Sequence, residues 1–139
     1  MATKPLVFYF NTKDKSYKSV TETYDEEPNL ITQTFINTPI YQWNTNTQIG
    51  YLLSDDYVQQ IDDESYILRI NQTFYFQKKD TISWYFTCRK THPNNFFPPA
   101  SLSTSTIISG TGLYYGKQGT VTVEPMDKFN FRVSITFAT

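Results

Sequence analysis

The sequence predicts an all-β chain folded as one eight-stranded antiparallel barrel, and three observations predict it. Residues suited to pleated sheets dominate: 11 Phe, 11 Tyr and 2 Trp make up 17% of the 139 residues, while helix-favouring Ala, Leu and Glu are scarce. Apolar and polar residues alternate in the middle and at the end of the chain, and no stretch holds a 3.6-residue period. Four of the five glycines, Gly110, Gly112, Gly116 and Gly119, fall within ten residues. Such clusters mark tight barrel corners, because glycine tolerates φ > 0 and close backbone approach.

The strands follow in order. Leu6 to Asn11 is a short apolar run. Thr32 to Thr38 and Gln48 to Ser54 are weaker candidates. Tyr66, Leu68, Ile70, Phe74 and Phe76 share one face of the next strand, with Arg69, Asn71 and Thr73 on the other. Ile82, Trp84, Phe86 and Cys88 repeat the pattern after the turn Lys78-Lys79-Asp80, so these two strands read as a hairpin. Leu102 to Ser109 runs into the glycine cluster. Thr120 to Glu124 follows it, and Phe129, Phe131, Val133, Ile135 and Phe137 close the chain in strict alternation. Three loops separate them: a long charged one from Thr12 to Leu30, a polar one from Tyr41 to Thr47, and a proline-rich one from Thr91 to Pro99. No repeat or linker divides residues 1–139, so one domain is expected. A closed barrel removes the exposed edges that these strands would otherwise present, and its interior is either filled by side chains or holds one small ligand.

Composition excludes several functions. Net charge is −1 with scattered Lys and Arg, which is no footprint for nucleic acid. Lys13, Lys15 and Lys18 lie among acidic residues and read as a solvated loop. A single cysteine, Cys88, forbids an internal disulfide and extends an apolar face as a packed thiol. With one histidine, His92, in a proline-rich loop, no His/Cys metal cluster can be assembled, and no metal or cofactor is expected. The apolar run near the start is too short for a signal-peptide core, and no segment is long enough to span a membrane. The expectation is an intracellular, cytoplasmic protein. Asp25-Glu26-Glu27, Asp55-Asp56 and Asp62-Asp63-Glu64 read as solvated turns without a calcium-loop alternation. The glycine spacing is neither a dinucleotide fingerprint nor a phosphate loop, so Gly110, Gly112, Gly116 and Gly119 are assigned to a structural turn.

Within a barrel, polar residues on the apolar faces carry the interest. Gln72 interrupts the row between Ile70 and Phe74, and a buried amide needs a hydroxyl partner or a ligand. Asn11 closes the first strand at a barrel mouth. With Tyr9, Trp84 and Phe86 these form the candidate ligand-binding set of the cavity; no catalytic residue is assigned.

The run Ile107-Ile108-Ser109-Gly110-Thr111-Gly112-x-Tyr114-x-Gly116-x-x-Gly119 resembles the glycine signature of the allene oxide cyclase and dirigent barrels, a calycin-like superfamily. Leu6 to Asn11, Ile49 to Leu53, and Tyr66 to Phe76 resemble strands of these families in the same order. The resemblance implies a homotrimer and a cavity for an apolar or phenolic substrate. It also implies which residues should do acid–base work, and this chain departs from them. The dirigent His-Asp pair meets Asn11-Thr12, a second dirigent aspartate meets Asn37 or Thr38, and an arginine meets Ser103. The cyclase Glu-x-Asn becomes Tyr9-Phe10-Asn11, its pocket cysteine meets Leu52, and its Ser-Pro meets Tyr17-Lys18.

Two functions follow. The favoured one is a non-catalytic barrel, a homotrimeric structural or small-ligand-binding module that kept the scaffold and lost the acid–base residues. Outward Tyr75 and Tyr85 suit its interface, and Phe74, Phe76, Trp84, Phe86, Phe131 and Phe137 fall on inward faces that would plug it. The alternative is a dirigent- or cyclase-type enzyme that shapes an apolar or phenolic substrate in an open cavity.

Overall fold

The computed structural model describes residues 4–26, 29–76, 79–90 and 103–138. His92 and the 91–99 loop lie outside the described residues, as do Leu102, the turn residue Lys78 and the side chain of Cys88.

Among the described residues nine strands run antiparallel: β1 (Leu6–Asn11), β2 (Lys18–Glu26), β3 (Asn29–Gln42), β4 (Gln48–Asp62), β5 (Ser65–Phe76), β6 (Thr81–Lys90), β7 (Ser103–Thr111), β8 (Gly119–Pro125) and β9 (Asn130–Phe137). Their order in the sheet is β1-β9-β8-β7-β6-β5-β4-β3-β2, and β1 also pairs with β3. That extra pairing, Phe8↔Gln42 and Tyr9↔Tyr41, joins the ends of eight strands into a ring. The eight-stranded barrel expected from the sequence is therefore present, with β2 as an additional ninth strand. β3 gives one edge to β4 from Ile31 to Tyr41. Its other edge is shared, with β2 on Asn29 to Asn37 and β1 on Tyr41 and Gln42. Pro39, which has no N–H to offer a ladder, sits at this changeover.

β2 corrects the expectation of a loop from Thr12 to Leu30. Val20, Thr21, Thr23 and Tyr24 favour extended backbone, yet Lys18 to Tyr24 are exposed on both faces. With no face to bury, the segment has no apolar alternation to betray it. β3 and β4 also outrun their expected limits, and Asp55-Asp56 lies inside β4 rather than in a turn.

Alternation sends one side of every long strand inward. Phe8, Phe10, Ile36, Ile40, Leu52, Leu68, Ile70, Phe74, Ile82, Val121, Val123, Val133 and Ile135 are almost wholly buried, each contributing about 1.5–3 kcal/mol by leaving water. Rings interlock along the interior. Phe8 meets Phe74 edge-on at 5.0 Å, Phe10 stacks on Phe131 at 5.2 Å, and Tyr114 stacks on Phe137 at 5.7 Å. Phe76 and Phe137 are half-buried against this core.

The glycine corner is built as a turn. Gly112, at φ +60°, opens a short 3₁₀ segment (Gly112–Tyr114), and a Cβ there would strike the Asp80 carboxylate that accepts the Leu113 N–H at 2.9 Å. A Cβ on Gly119 would strike the Thr136 carbonyl of β9, whereas Gly116, at φ +73°, has open space around it. Gly112→Ala and Gly119→Ala are therefore expected to lower stability by about 1–3 kcal/mol. Gly116→Ala carries only the backbone cost of about 1 kcal/mol. Urea denaturation of the three variants tests this ranking, and equal losses at all three would refute the close-approach argument.

Candidate functional site

The inner wall is not uniformly apolar. On β4 the inward positions are Gly50, Leu52, Ser54, Asp56 and Val58, all buried. Register then places Ser54 opposite Gln72 on β5, and Gln72 opposite Trp84 on β6. One step along, Asp56 lies between Thr34 on β3 and Ile70 on β5, with Phe86 beyond. Ser54, Asp56, Gln72, Trp84 and Thr34 are each at most 4% exposed. A register shift between Ser83 and Trp84 marks a bulge where β6 meets β7, a device that re-aims side chains.

The hydrogen bonds run in one direction. Gln72 Nε2 donates to Ser54 Oγ at 3.1 Å, and Ser54 donates onward to Asp56 Oδ1 at 2.6 Å. On this wall three buried atoms have no hydrogen-bond partner among the described residues: Asp56 Oδ2, Gln72 Oε1 and Trp84 Nε1. The indole N–H can only donate and the amide oxygen only accept, while a carboxyl does either according to its protonation. Burial is the main cause that pushes the Asp56 carboxyl up to about 7, with Asp55 adding to it and the Ser54 bond opposing it. Tyr17, half-buried against the core, is raised first by its own burial and then by the charge of Asp56. That coupling places the residue preceding β2 near the same patch.

Of the residues singled out from the sequence, Gln72 and Trp84 belong to this wall, and Phe86 is half-buried against the core beside it. Tyr9 and Asn11 do not share the interior. They alternate with buried Phe8 and Phe10 and so lie on the outer face of β1. There the Tyr9 hydroxyl donates to the Thr45 carbonyl at 2.7 Å, and Asn11 Nδ2 donates to Asn130 Oδ1 at 2.8 Å. Sequence reasoning missed Ser54 and Asp56; the signal was the even-numbered parity from Leu52 through Val58.

Among the described residues no group of three or more His, Cys, Asp or Glu side chains is placed to hold a metal, and no helix is long and apolar enough to cross a membrane. Neither a protein-family model nor a curated protein matches the sequence. Solved structures do. A pyocyanin demethylase superposes with a TM-score of 0.68 at 12% identity, over 97% of this chain and 100% of that one. A pterocarpan synthase dirigent protein gives 0.60 at 14% identity, over 98% and 88% of the two chains. A second such dirigent protein gives 0.59 at 15%, over 96% and 92%. The chain thus has the dirigent-like barrel fold that its glycine corner suggests.

The position of Asp56 has a pH signature. In the unfolded chain its carboxyl ionises near pH 4, but in the folded chain only near 7. The folded state therefore holds an extra proton between those values, so stability falls as pH rises from about 4 to about 7 and the loss is complete above that. Asp56→Asn is expected to remove that slope, worth up to ~4 kcal/mol. Urea unfolding between pH 4 and 8 measures it, and identical slopes in the two proteins would show that Asp56 titrates as an ordinary surface carboxyl.

Proposed function

We propose that the barrel binds a small, mostly apolar molecule carrying a hydroxyl or carbonyl oxygen, held against the inner wall of Ser54, Asp56, Gln72 and Trp84, and that it does so as a homotrimer. The observation that carries this reading is the set of three buried, unpartnered polar atoms on one wall. Each costs about 1–3 kcal/mol if left unpaired, and a guest offering an acceptor to the Trp84 N–H, a donor to Gln72 Oε1 and either to Asp56 Oδ2 would satisfy them. Trp84 and Phe86 supply flat apolar surface beside them. Ser54, itself bonded by Gln72, engages only Oδ1 of Asp56, so Oδ2 is the oxygen left for a guest.

Trimer formation is supported by the outer face of β2 to β6. Val20, Phe35, Tyr51, Leu53, Tyr75 and Tyr85 are all exposed there, and Val20, Phe35 and Leu53 line a shallow cavity of about 360 Å³. Large exposed apolar patches of this kind mark interaction surfaces, and the aromatic content suits an interface core.

A second reading, catalysis by proton transfer, is favoured by one observation: a buried carboxyl that titrates near neutrality. Such a group gives or takes a proton at physiological pH, so the departures from the dirigent and cyclase acid–base positions do not leave the barrel without an acid. The structural neighbours include two synthase-named dirigent proteins and a demethylase, so this architecture carries chemistry elsewhere.

Native mass spectrometry of gently purified protein is expected to show a trimer with a stoichiometric added mass per subunit. In a Trp43→Phe background Trp84 is the remaining tryptophan, and 2-naphthol is expected to change its fluorescence saturably, with Gln72→Leu weakening binding about tenfold. A trimer of bare mass with no saturable response would establish a filled scaffold instead. Leu53→Arg is expected to shift the mass to monomer.

A further inference from the structure

A second polar and aromatic concavity lies outside the barrel, where β1 meets the 43–47 turn and the 126–129 turn. Its volume is about 410 Å³, and its walls include Tyr9, Trp43, Asn44, Asn46, Asp127 and Asn130. A neighbouring cavity of about 320 Å³ shares Tyr9 and Asn46 with it and adds Asn11, Lys13, Asp14 and Tyr41. The two form one trough along the outer face of β1.

The walls are fixed before anything binds. The Tyr9 hydroxyl is tied to the Thr45 carbonyl at 2.7 Å, and its ring meets Tyr41 at 5.4 Å and Trp43 edge-on at 6.0 Å. Arg132, the cross-strand partner of Tyr9, lays its guanidinium 5.2 Å from the Trp43 ring centre. Asp127 accepts from the Phe129 and Asn130 N–H groups and from the Asn130 amide. These bonds, the Asn130 side chain first, hold its carboxyl below the usual range and hence ionised. In contrast, the Asn44 and Asn46 amides make no side-chain hydrogen bond among the described residues, and Asn44 is held in the left-handed region at φ 61°. Each offers a donor pair and an acceptor on the same plane.

Elimination narrows the ligand. The sole charge lining the larger cavity is the Asp127 carboxylate, which repels anions and is already engaged by its bonds, and in the smaller cavity Lys13 is balanced by Asp14. Amides and hydroxyls make the trough too polar for a lipid or an aromatic hydrocarbon. A neutral polyol with one apolar face fits both halves: C–H groups against Tyr9 and Trp43, vicinal hydroxyls to the amides of Asn44 and Asn46. From this we propose that the trough is a saccharide-binding site, separate from the barrel interior and independent of what binds there.

The test is a ¹H–¹⁵N NMR titration of the full chain with glucose, galactose, mannose, N-acetylglucosamine, cellotetraose and chitotetraose. At least one sugar is expected to produce saturable shifts at the Trp43 indole and the Asn46 side-chain amide, leaving the Trp84 indole in place. Asn46→Ala, an exposed substitution that leaves the core intact, is expected to weaken that binding about three- to tenfold, and Trp43→Ala to abolish it. The proposal is overturned if no sugar in the panel gives a saturable shift. It is equally overturned if the shifts map away from Trp43 and Asn46, or if the Asn46→Ala affinity is unchanged.

Discussion

Everything inside this molecule depends on a pairing only two positions long. Without Phe8↔Gln42 and Tyr9↔Tyr41, the sheet would be an open ribbon with one face of every strand in water. Closure turns that face into an interior. The junction is reinforced from outside: the Tyr9 hydroxyl bonds across to the 43–47 turn, and Tyr41 bonds to Asp14 in the segment that leaves β1. Thr12 N–H also reaches the Phe129 carbonyl at 3.0 Å. These outward contacts explain why β1 carries polar and aromatic residues on the face away from the core. The face that looked like ligand chemistry in the sequence is in part the latch of the ring.

The interior so formed has two characters. Toward the glycine corner, Phe8, Phe74, Phe76, Tyr114 and Phe137 fill space with interlocking rings. Across β4 to β6, Ser54, Asp56 and Gln72 form a hydrogen-bonded chain with unfilled valence at both ends. Buried polar networks are stabilising only when complete, so this wall is the part of the barrel least explained by stability alone. Folding could have been served by valine or leucine at each of these positions.

Much of this was legible in the sequence, for a physical reason. β5, β6 and β9 bury one face and expose the other, so period-two alternation names their inward residues directly, Gln72 and Trp84 among them. The glycine corner was legible because positive φ and close approach restrict the choice of residue. β2 was hidden because it is held by backbone pairing to β3 with neither face buried, a condition that leaves no mark on side-chain pattern. Asp56 was hidden because two adjacent acids look like a solvated turn. Only the register of a strand twice the expected length reveals that Asp55 points outward and Asp56 inward. The outer trough was hidden because it assembles residues from β1, the 43–47 turn and the 126–130 segment, distant along the chain.

The shared edge of β3 gives the molecule two independent scales of order. β2 is fastened along one side only, and detaching it breaks that ladder while every pairing of the eight-membered ring survives. Such a strand opens as its own small unit, at a fraction of the free energy that melts the whole domain. Tyr17 immediately precedes it and senses the charge of Asp56. The peripheral strand thus starts from a phenol that packs against the core and lies within electrostatic reach of the buried carboxyl.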